Sequence, residues 1–528
     1  MEKSPQLSRP DDLLLAIDCG TQSVRALLFD LHGDLIAKAQ VKLESYVTPQ
    51  PGWMEHDVDG FWHCAARACR MLWDRHGALK AAVRGVAVTT QRGTVMPVGA
   101  DGKALHPAIV WPDQRKATQL RPLSAFYRAL FGALGLTATI RYFQHEAECN
   151  WLAEFRPELW RRTHRFLLVS GLLNWKLTGR FVDSVGAQVG YVPLDFRRHR
   201  WAGRHDWKWQ VLSLVPEQLP ELQPVGTRLG EVTAEAAEAT GIPAGLPVIA
   251  AAADKACELL GAGCLDPQLG GISYGTTATI NINSRRYLEP LPLIPPYPAA
   301  MPAHYNCEVQ IQRGFWMVSW FKDQFGQPER ALAEQAGLVP EALFDELVAQ
   351  VPPGALGLML QPYWTPGVRH PGPDAKGAII GFGDVHTRAH LYRAILEGLA
   401  YALRDGRARI ERKTGVPMRA LRVSGGGSQS DAALQLTADI FDLPAGRPHT
   451  YETAGLGAAI DCAVGLGLFA DFATAANAMT RVARTFEPSR ANVALYEQLY
   501  TRVYRRMYER LAPLYAEIQK ITGYPKLD

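Results

Sequence analysis

The sequence predicts an α/β protein built as two related domains in tandem, on three observations. Apolar runs over 13–42 are broken by Asp-x-Gly-Thr and then by His-Gly-Asp, the pattern of strand, tight turn, strand, turn, strand. The same layout returns over 270–284 in GGISYGTTATININS. After each meander, strand-like and helix-like segments alternate, and 528 residues are enough for two large domains or about three of ~150 residues.

Taken in order, the first domain opens with the meander and continues into helical signals over 58–76. The strand VRGVAVTTQ follows, then a shorter strand around HPAIVW that ends at Asp113. Residues 147–179 carry aromatic and leucine positions at three- and four-residue spacing and read as helices; LPVIAAAAD, 246–254, reads as a short buried strand. The domains are placed at 11–260 and 261–528. In the second, the meander leads to a long helix over 390–413, the strand ALRVSGGG, and helices over 430–441 and 454–465. Residues 490–518 set Leu495, Leu499, Val503, Met507 and Leu511 on one helical face, with Tyr496, Tyr500, Tyr504 and Tyr508 beside it. This last segment is expected to dock on the second domain as one helix.

Composition narrows the function classes. The 56 basic and 52 acidic side chains leave a net charge of +4, so no global field draws the chain to nucleic acid or an anionic membrane. Eight scattered cysteines, with no Cys-x-x-Cys pair and no Cys/His cluster at zinc spacing, read as reduced apolar residues. His386 and His390 stand four apart but read as structural or exposed. The first residues, MEKSPQLSRPDD, lack the apolar core of a signal peptide, and no stretch reaches the ~18 to 20 apolar residues of a membrane span. The expected compartment is the cytoplasm. Arg502, Arg505, Arg506 and Arg510 among the tail tyrosines could stack and pair with nucleic acid, but Glu497, Glu509 and Glu517 interrupt them, and a solvated helix face is the better reading.

Three glycine-bearing segments carry the chemistry. In Asp18-Cys19-Gly20-Thr21-Gln22, a tight turn between strands can aim the N–H groups of Gly20, Thr21 and Gln22 at one anion, such as the terminal phosphates of a nucleotide. Asp18 would then hold Mg²⁺ or its water shell, with Arg25 as a charge partner. Read alone, the segment is equally an ordinary hairpin. A second such turn, Gly275-Thr276-Thr277, suggests a grip on the phosphates from both domains. The third segment, Gly425-Gly426-Gly427-Ser428-Gln429-Ser430, lies between a strand and a helix, where backbone can approach a flat ring or a phosphate. It is not a dinucleotide fingerprint.

Together, IDCGTQSVRALLFD, PAIVWPDQR, AAADKACELLG, SYGTTATI, RAILEGLAYALRD, SGGGSQSDAALQLTADIFDLP and ETAGLGAAIDCAVGLG resemble, in order and spacing, the successive blocks of the FGGY carbohydrate kinases. The resemblance covers nearly the whole chain. It implies two ribonuclease-H-like domains of the actin and hexokinase type, closing on ATP and an alcohol at an interdomain cleft, the first domain binding the sugar and the second the nucleotide. It also implies that Asp254, in the block AAADKAC, is the general base that takes the proton of the attacking hydroxyl; as a strand-end carboxylate, it also stands where an α/β fold places its chemistry. The competing reading of Asp254 is a cap on the helix that follows.

For the acceptor, Gln91, Arg92, Trp111, Asp113 and Tyr142 are the candidates: an aromatic face for the C–H side of a polyol, and Arg and Asp for its hydroxyls. Tyr142 and Phe143 are expected in a loop. The segment around Arg92 is similar to that of the family's glycerol kinases, except that Gly93 stands where those carry Glu, removing an acceptor and opening space. The expected activity is therefore ATP- and Mg²⁺-dependent phosphorylation of a small ketose or polyol, longer than glycerol. The alternatives are a nucleotide-binding regulator on the same fold, or a kinase of an autoinducer or of glycerol. The expected partner is a small molecule and neither nucleic acid nor membrane; a homodimer is compatible with this reading.

Overall fold

The computed structural model describes residues 11–289, 294–337, 339–367 and 371–524. Most of the N-terminal segment read above for a leader, 1–10, lies outside the described residues. The chain forms two compact units. The first comprises Met1–Gly263, Ser284–Asn306 and Glu452–Thr480; the second comprises Cys264–Asn283, Cys307–Tyr451 and Arg481–Asp528.

The first unit is organised by β1 (Leu13–Cys19), β2 (Ser23–Phe29), β3 (Leu35–Lys42), β4 (Val83–Thr90), β5 (Arg228–Glu231) and β6 (Pro247–Ile249), in the spatial order β5-β6-β4-β1-β2-β3. The meander β1-β2-β3 is antiparallel, β4 runs parallel to β1, and β6 runs parallel to β4. Buried on both faces, β1 is apolar throughout except at Asp18, as befits a central strand. Its register puts Asp18 opposite Arg25 on one side and Thr89 on the other. Helix Val58–His76, capped by Asp57, buries Phe61, Leu72 and Trp73 in the same core as β1 and β2. Helix Thr453–Gly465, which reaches this unit from far along the chain, crosses helix Asp254–Gly261 almost backbone to backbone. A Cβ on Gly457 would lie 2.0 Å from the Cys257 carbonyl oxygen, and one on Gly261 2.0 Å from that of Thr453.

The second unit repeats the plan. Its six longer strands are β7 (Leu269–Tyr274), β8 (Ala278–Ser284), β9 (Tyr305–Ile311), β10 (Ala420–Ser424), β11 (Ala445–Pro448) and β12 (Val482–Phe486), in the order β9-β8-β7-β10-β11-β12. Again an antiparallel hairpin is followed by parallel neighbours, β7 with β10 and β10 with β11. The long helix is Arg388–Thr414; the shorter one, Asp431–Phe441, leaves the glycine-rich segment.

Several local expectations are corrected. Residues 147–179 include a strand, Arg165–Leu168, paired with Val95–Val98 between helices. The apolar run at 246–254 is a strand only over Pro247–Ile249, and Asp254 opens a helix. Tyr142 and Phe143 lie in helix Thr137–Glu146, not in a loop. The tail is not one regular helix. A π-helical turn, Tyr500–Tyr504, separates Arg490–Leu499 from Arg505–Thr522. Tyr496, Tyr500 and Tyr504 are buried, Leu499, Val503, Met507 and Leu511 of the leucine face pack on the same core, and Leu495 is 38% exposed. Those tyrosines belong to the core of the second unit and are closed to stacking with bases. All eight cysteines are free, and His390 caps the long helix by bonding the Thr387 N–H and hydroxyl. Among the described residues no helix is long and apolar enough to cross a membrane.

Candidate active site

In the first unit, the turn after β1 is closed by the Gly20 N–H, which donates to the Ser23 carbonyl at 3.0 Å. The expected anion cradle thus loses one of its three donors. The Thr21 hydroxyl donates to Gln91 Oε1 at 3.1 Å and accepts from the Trp111 indole N–H at 3.1 Å. Residues read from the sequence as belonging to two ligands therefore form one hydrogen-bonded set.

Asp18, buried in β1, accepts from Arg25 at 2.8 Å, and Arg25 also lies 3.6 Å from Glu452, which pairs with Lys38. Burial pushes the Asp18 carboxyl up to about 6; Arg25 pulls it down, while Glu452 and Asp254 push it up. That repulsion shows Asp18 and Asp254 to be within electrostatic reach of each other.

Asp254 is the first residue of its helix, whose N-cap is Ala253. Its carboxylate Oδ1 takes the adjacent Lys255 N–H at 2.7 Å and stands 3.9 Å from Arg92 Nε. The N-cap position thus belongs to Ala253, and the backbone N–H that the Asp254 carboxylate takes is the adjacent one, that of Lys255. Burial raises its pKa, opposed by Lys255 and then Arg92. The Lys255 ammonium pairs with Glu258 at 2.7 Å. The residues just before Asp254 are tied down from three sides. Thr89 donates to the Ala252 carbonyl at 2.9 Å, Asp461 accepts from the Ala252 N–H at 3.3 Å, and the Ala253 N–H bonds Gly186 at 3.1 Å.

Of the acceptor candidates, Arg92 lies beside Asp254, with its guanidinium 5.5 Å from the centre of the Tyr297 ring. Trp111 is 42% exposed. Asp113 is committed elsewhere. Its two oxygens take three N–H groups of Arg115 and the Met54 N–H, all within 2.8 Å, and Arg115 is clamped between Trp53 and Trp151. This leaves no lone pair of Asp113 for a sugar hydroxyl. Tyr142, partly exposed, bonds Tyr191, and burial pushes its phenol up to about 12.

In the second unit the Gly275 and Thr276 carbonyls accept from Phe315 and Trp316, and the Thr277 hydroxyl donates to the Gln312 carbonyl at 3.1 Å. Of the three glycines after β10, Gly425 has φ +81° and would press a Cβ 2.9 Å from the Tyr274 backbone; one on Gly427 would strike the Phe315 ring at 2.3 Å. A Cβ on Gly426 meets nothing within 4 Å, so the open backbone face lies there. The Ser430 hydroxyl is used as a helix cap, accepting from the Ala433 N–H and donating to Asp345.

Among the described residues no group of three or more His, Cys, Asp or Glu side chains could hold a metal. Mg²⁺ commonly takes only one or two carboxylates and completes its shell with water and substrate phosphates. Asp18, with Asp254 within electrostatic reach, fits that demand, and a dication would relieve the repulsion between them. Sequence reasoning missed Glu452, Asp461 and Tyr297. A lone Asp within the apolar run AAIDCAV was a usable signal for Asp461, whereas Tyr297 carries none, standing 205 positions from the arginine it packs against.

Residues 13–261 match the N-terminal domain, and residues 270–466 the C-terminal domain, of the FGGY family of carbohydrate kinases. An uncharacterized sugar kinase of Escherichia coli, YgcE, is 31% identical over 92% of this chain and 91% of its own length. A glycerol kinase of Dechloromonas aromatica is 30% identical over 92% and 94%. The crystal structure of a xylulose kinase from Rhodospirillum rubrum superposes with a TM-score of 0.78 at 26% identity, covering 96% of this chain and all of that one.

Proposed function

The chain belongs to the FGGY family of carbohydrate kinases, and from that premise we propose that it transfers the terminal phosphoryl group of ATP to a hydroxyl of a small ketose or polyol, with Asp254 as the general base. The supporting observation is the Asp254 carboxylate itself, pinned at a helix start beside Arg92 and within electrostatic reach of Asp18. Arg92 orients the acceptor hydroxyls, Trp111 and Gln91 line its path, and Asp254 accepts the proton as the hydroxyl attacks. Asp18, steadied by Arg25, would hold Mg²⁺, which when bound would neutralise charge on the phosphate oxygens. In the first unit Thr21, Gln22 and Arg25 are assigned to phosphate binding; in the second, the open backbone at Gly426 is assigned to the nucleotide, with Gly275, Thr276 and Thr277. The reaction is assigned to the cytoplasm, where ATP is supplied.

Glycerol is disfavoured as the acceptor. Gly93 carries no carboxylate, and its φ of +68° is a conformation in which Glu would be strained. A site lacking one hydrogen-bond partner loses about 1 to 3 kcal/mol for a ligand that needs it. The decisive experiment is ADP release against glycerol and a panel of four- to seven-carbon ketoses and alditols. Asp254→Asn is expected to lower kcat by roughly 10² to 10⁴ while leaving ATP affinity within a few fold. Near-normal turnover in that variant would overturn the assignment of the base, and the highest kcat/KM on glycerol would overturn the reading of Gly93.

A further inference from the structure

Resting on the kinase reading, we infer that the acceptor is electrically neutral and that its far end runs over Gly93 and Gly190 toward Tyr142, Tyr191, Glu146 and Glu148. The near end is marked by Arg92, between Asp254 and the Tyr297 ring. The next residue, Gly93, abuts Gly190. A Cβ on Gly190 would meet only the Gly93 Cα, at 3.5 Å, and one on Gly93 only the Trp111 Cβ, at 3.5 Å. Both glycines hold positive φ, +68° and +131°, so this strip is bare backbone that other residues would strain to adopt. Beside it stands the half-exposed Trp111 ring, a surface for the C–H face of a carbon chain.

Past Gly190 the surroundings turn polar. The Tyr191 ring stands 6.0 Å from that of Phe143 and its hydroxyl bonds Tyr142; its own burial, then Tyr142, Glu146, Glu148 and Tyr297, hold its phenol well above the ordinary range. Tyr142 and Glu146 are four apart on one helix and share a face. Lys116 offsets Glu146 at 3.5 Å, and Arg115 is taken by Asp113 and Glu55. Burial pushes the Glu148 carboxyl up to about 8, so at neutral pH it is largely protonated and can both donate and accept. Two phenols and a neutral carboxyl are complementary to hydroxyl groups. An anionic terminus, such as the carboxylate of an aldonic acid, would meet Lys116 and Arg115 already paired with carboxylates and would face the Glu146 carboxylate.

The test uses the full-length enzyme at pH 7 with glycerol, five- and six-carbon alditols and ketoses, and the matching aldonates, in wild type, Tyr191→Phe and Glu148→Gln. The wild type is expected to favour a neutral long acceptor over the aldonate of equal length by at least about tenfold in kcat/KM. Each variant is expected to shrink the preference for that acceptor over glycerol by about tenfold through KM, with the KM for ATP unchanged. A preference for aldonates, or an equal loss on glycerol, would overturn the inference. If no acceptor yields ADP, the kinase reading falls by itself. Calorimetric binding of the unreacted alditols and aldonates then decides the subsite: neutral binding weakened in both variants supports it, and no binding or tighter aldonate binding refutes it.

Discussion

At the residue scale, the first unit carries carboxyls whose burial outweighs their partners. Asp183 is fully buried and accepts from Ser170, Asn174, Gln188 and the Ser184 N–H, yet its pKa is pushed up to about 6. Between the unfolded value of 3.8 and about 6, the folded state binds the extra proton, so this group's contribution to stability rises as pH falls through that window and is lost above it. At pH 7 the cost is up to about 3 kcal/mol. Asp183→Asn does not titrate, so thermal denaturation should find it destabilised relative to wild type by more at pH 5 than at pH 7; a pH-independent gap would refute the shift. Catalysis has the opposite sense. As the proposed base, Asp254 would have to be ionised to accept a proton, and burial raises its pKa, so the acid limb of kcat/KM should lie above the usual aspartate range of about 4. A limb at or below that value would contradict the environment described for the carboxylate.

At the scale of elements, three adjacent glycines after β10 serve different ends. Gly426→Val places its side chain in open space and should leave the melting temperature within a degree or two while raising the KM for ATP about tenfold, more than that for the acceptor. Gly427→Ala drives a Cβ into the Phe315 ring and should cost about 1 to 3 kcal/mol of stability instead. Equal effects on both substrates in Gly426→Val, with no change in stability, would remove the nucleotide from this turn. Helix Thr453–Gly465 packs behind Asp254, the proposed base. Its Gly457 admits helix Asp254–Gly261 at backbone distance, and its Asp461 holds the Ala252 N–H two residues before Asp254. Asp461→Ala is expected to lower kcat with little change in either KM, and Asp461→Asn, whose amide oxygen still accepts, to restore most of it. Loss of KM alone would place Asp461 outside base positioning.

For the whole molecule, each unit holds its own share of the proposed chemistry, which hydrogen exchange can read separately. The acceptor alone should protect 250–263 and 186–193 in the first unit. The nucleotide with Mg²⁺ should protect 425–431 in the second. Acceptor-induced protection confined to the second unit would invert the proposed division of labour. The units also show how a chain of this plan is assembled. The helix behind the base is supplied by Glu452–Thr480, so the first unit is incomplete until synthesis has passed through most of the second.

The sequence by itself determined the elements that local pattern controls. Both hairpins, their Gly-Thr turns, the helices after Thr387 and Ser430, and the repeated α/β plan follow from apolar periodicity and turn chemistry acting over a few residues. It also exposed Asp254 and Arg92, which stand in short polar interruptions of buried runs. Only the tertiary structure decided which polar groups remain available. Asp113 was legible as a polar residue at a strand end, but Arg115, Trp53 and Trp151 consume it. The tail tyrosines were legible as a row beside the leucine face, but the burial of Tyr496, Tyr500 and Tyr504 in the core, across a π-helical turn, was not. Tyr297 beside Arg92, and Asp461 beneath Ala252, join positions about two hundred residues apart. Such contacts follow from close packing of the completed fold, a property of the whole chain that no local window of sequence contains.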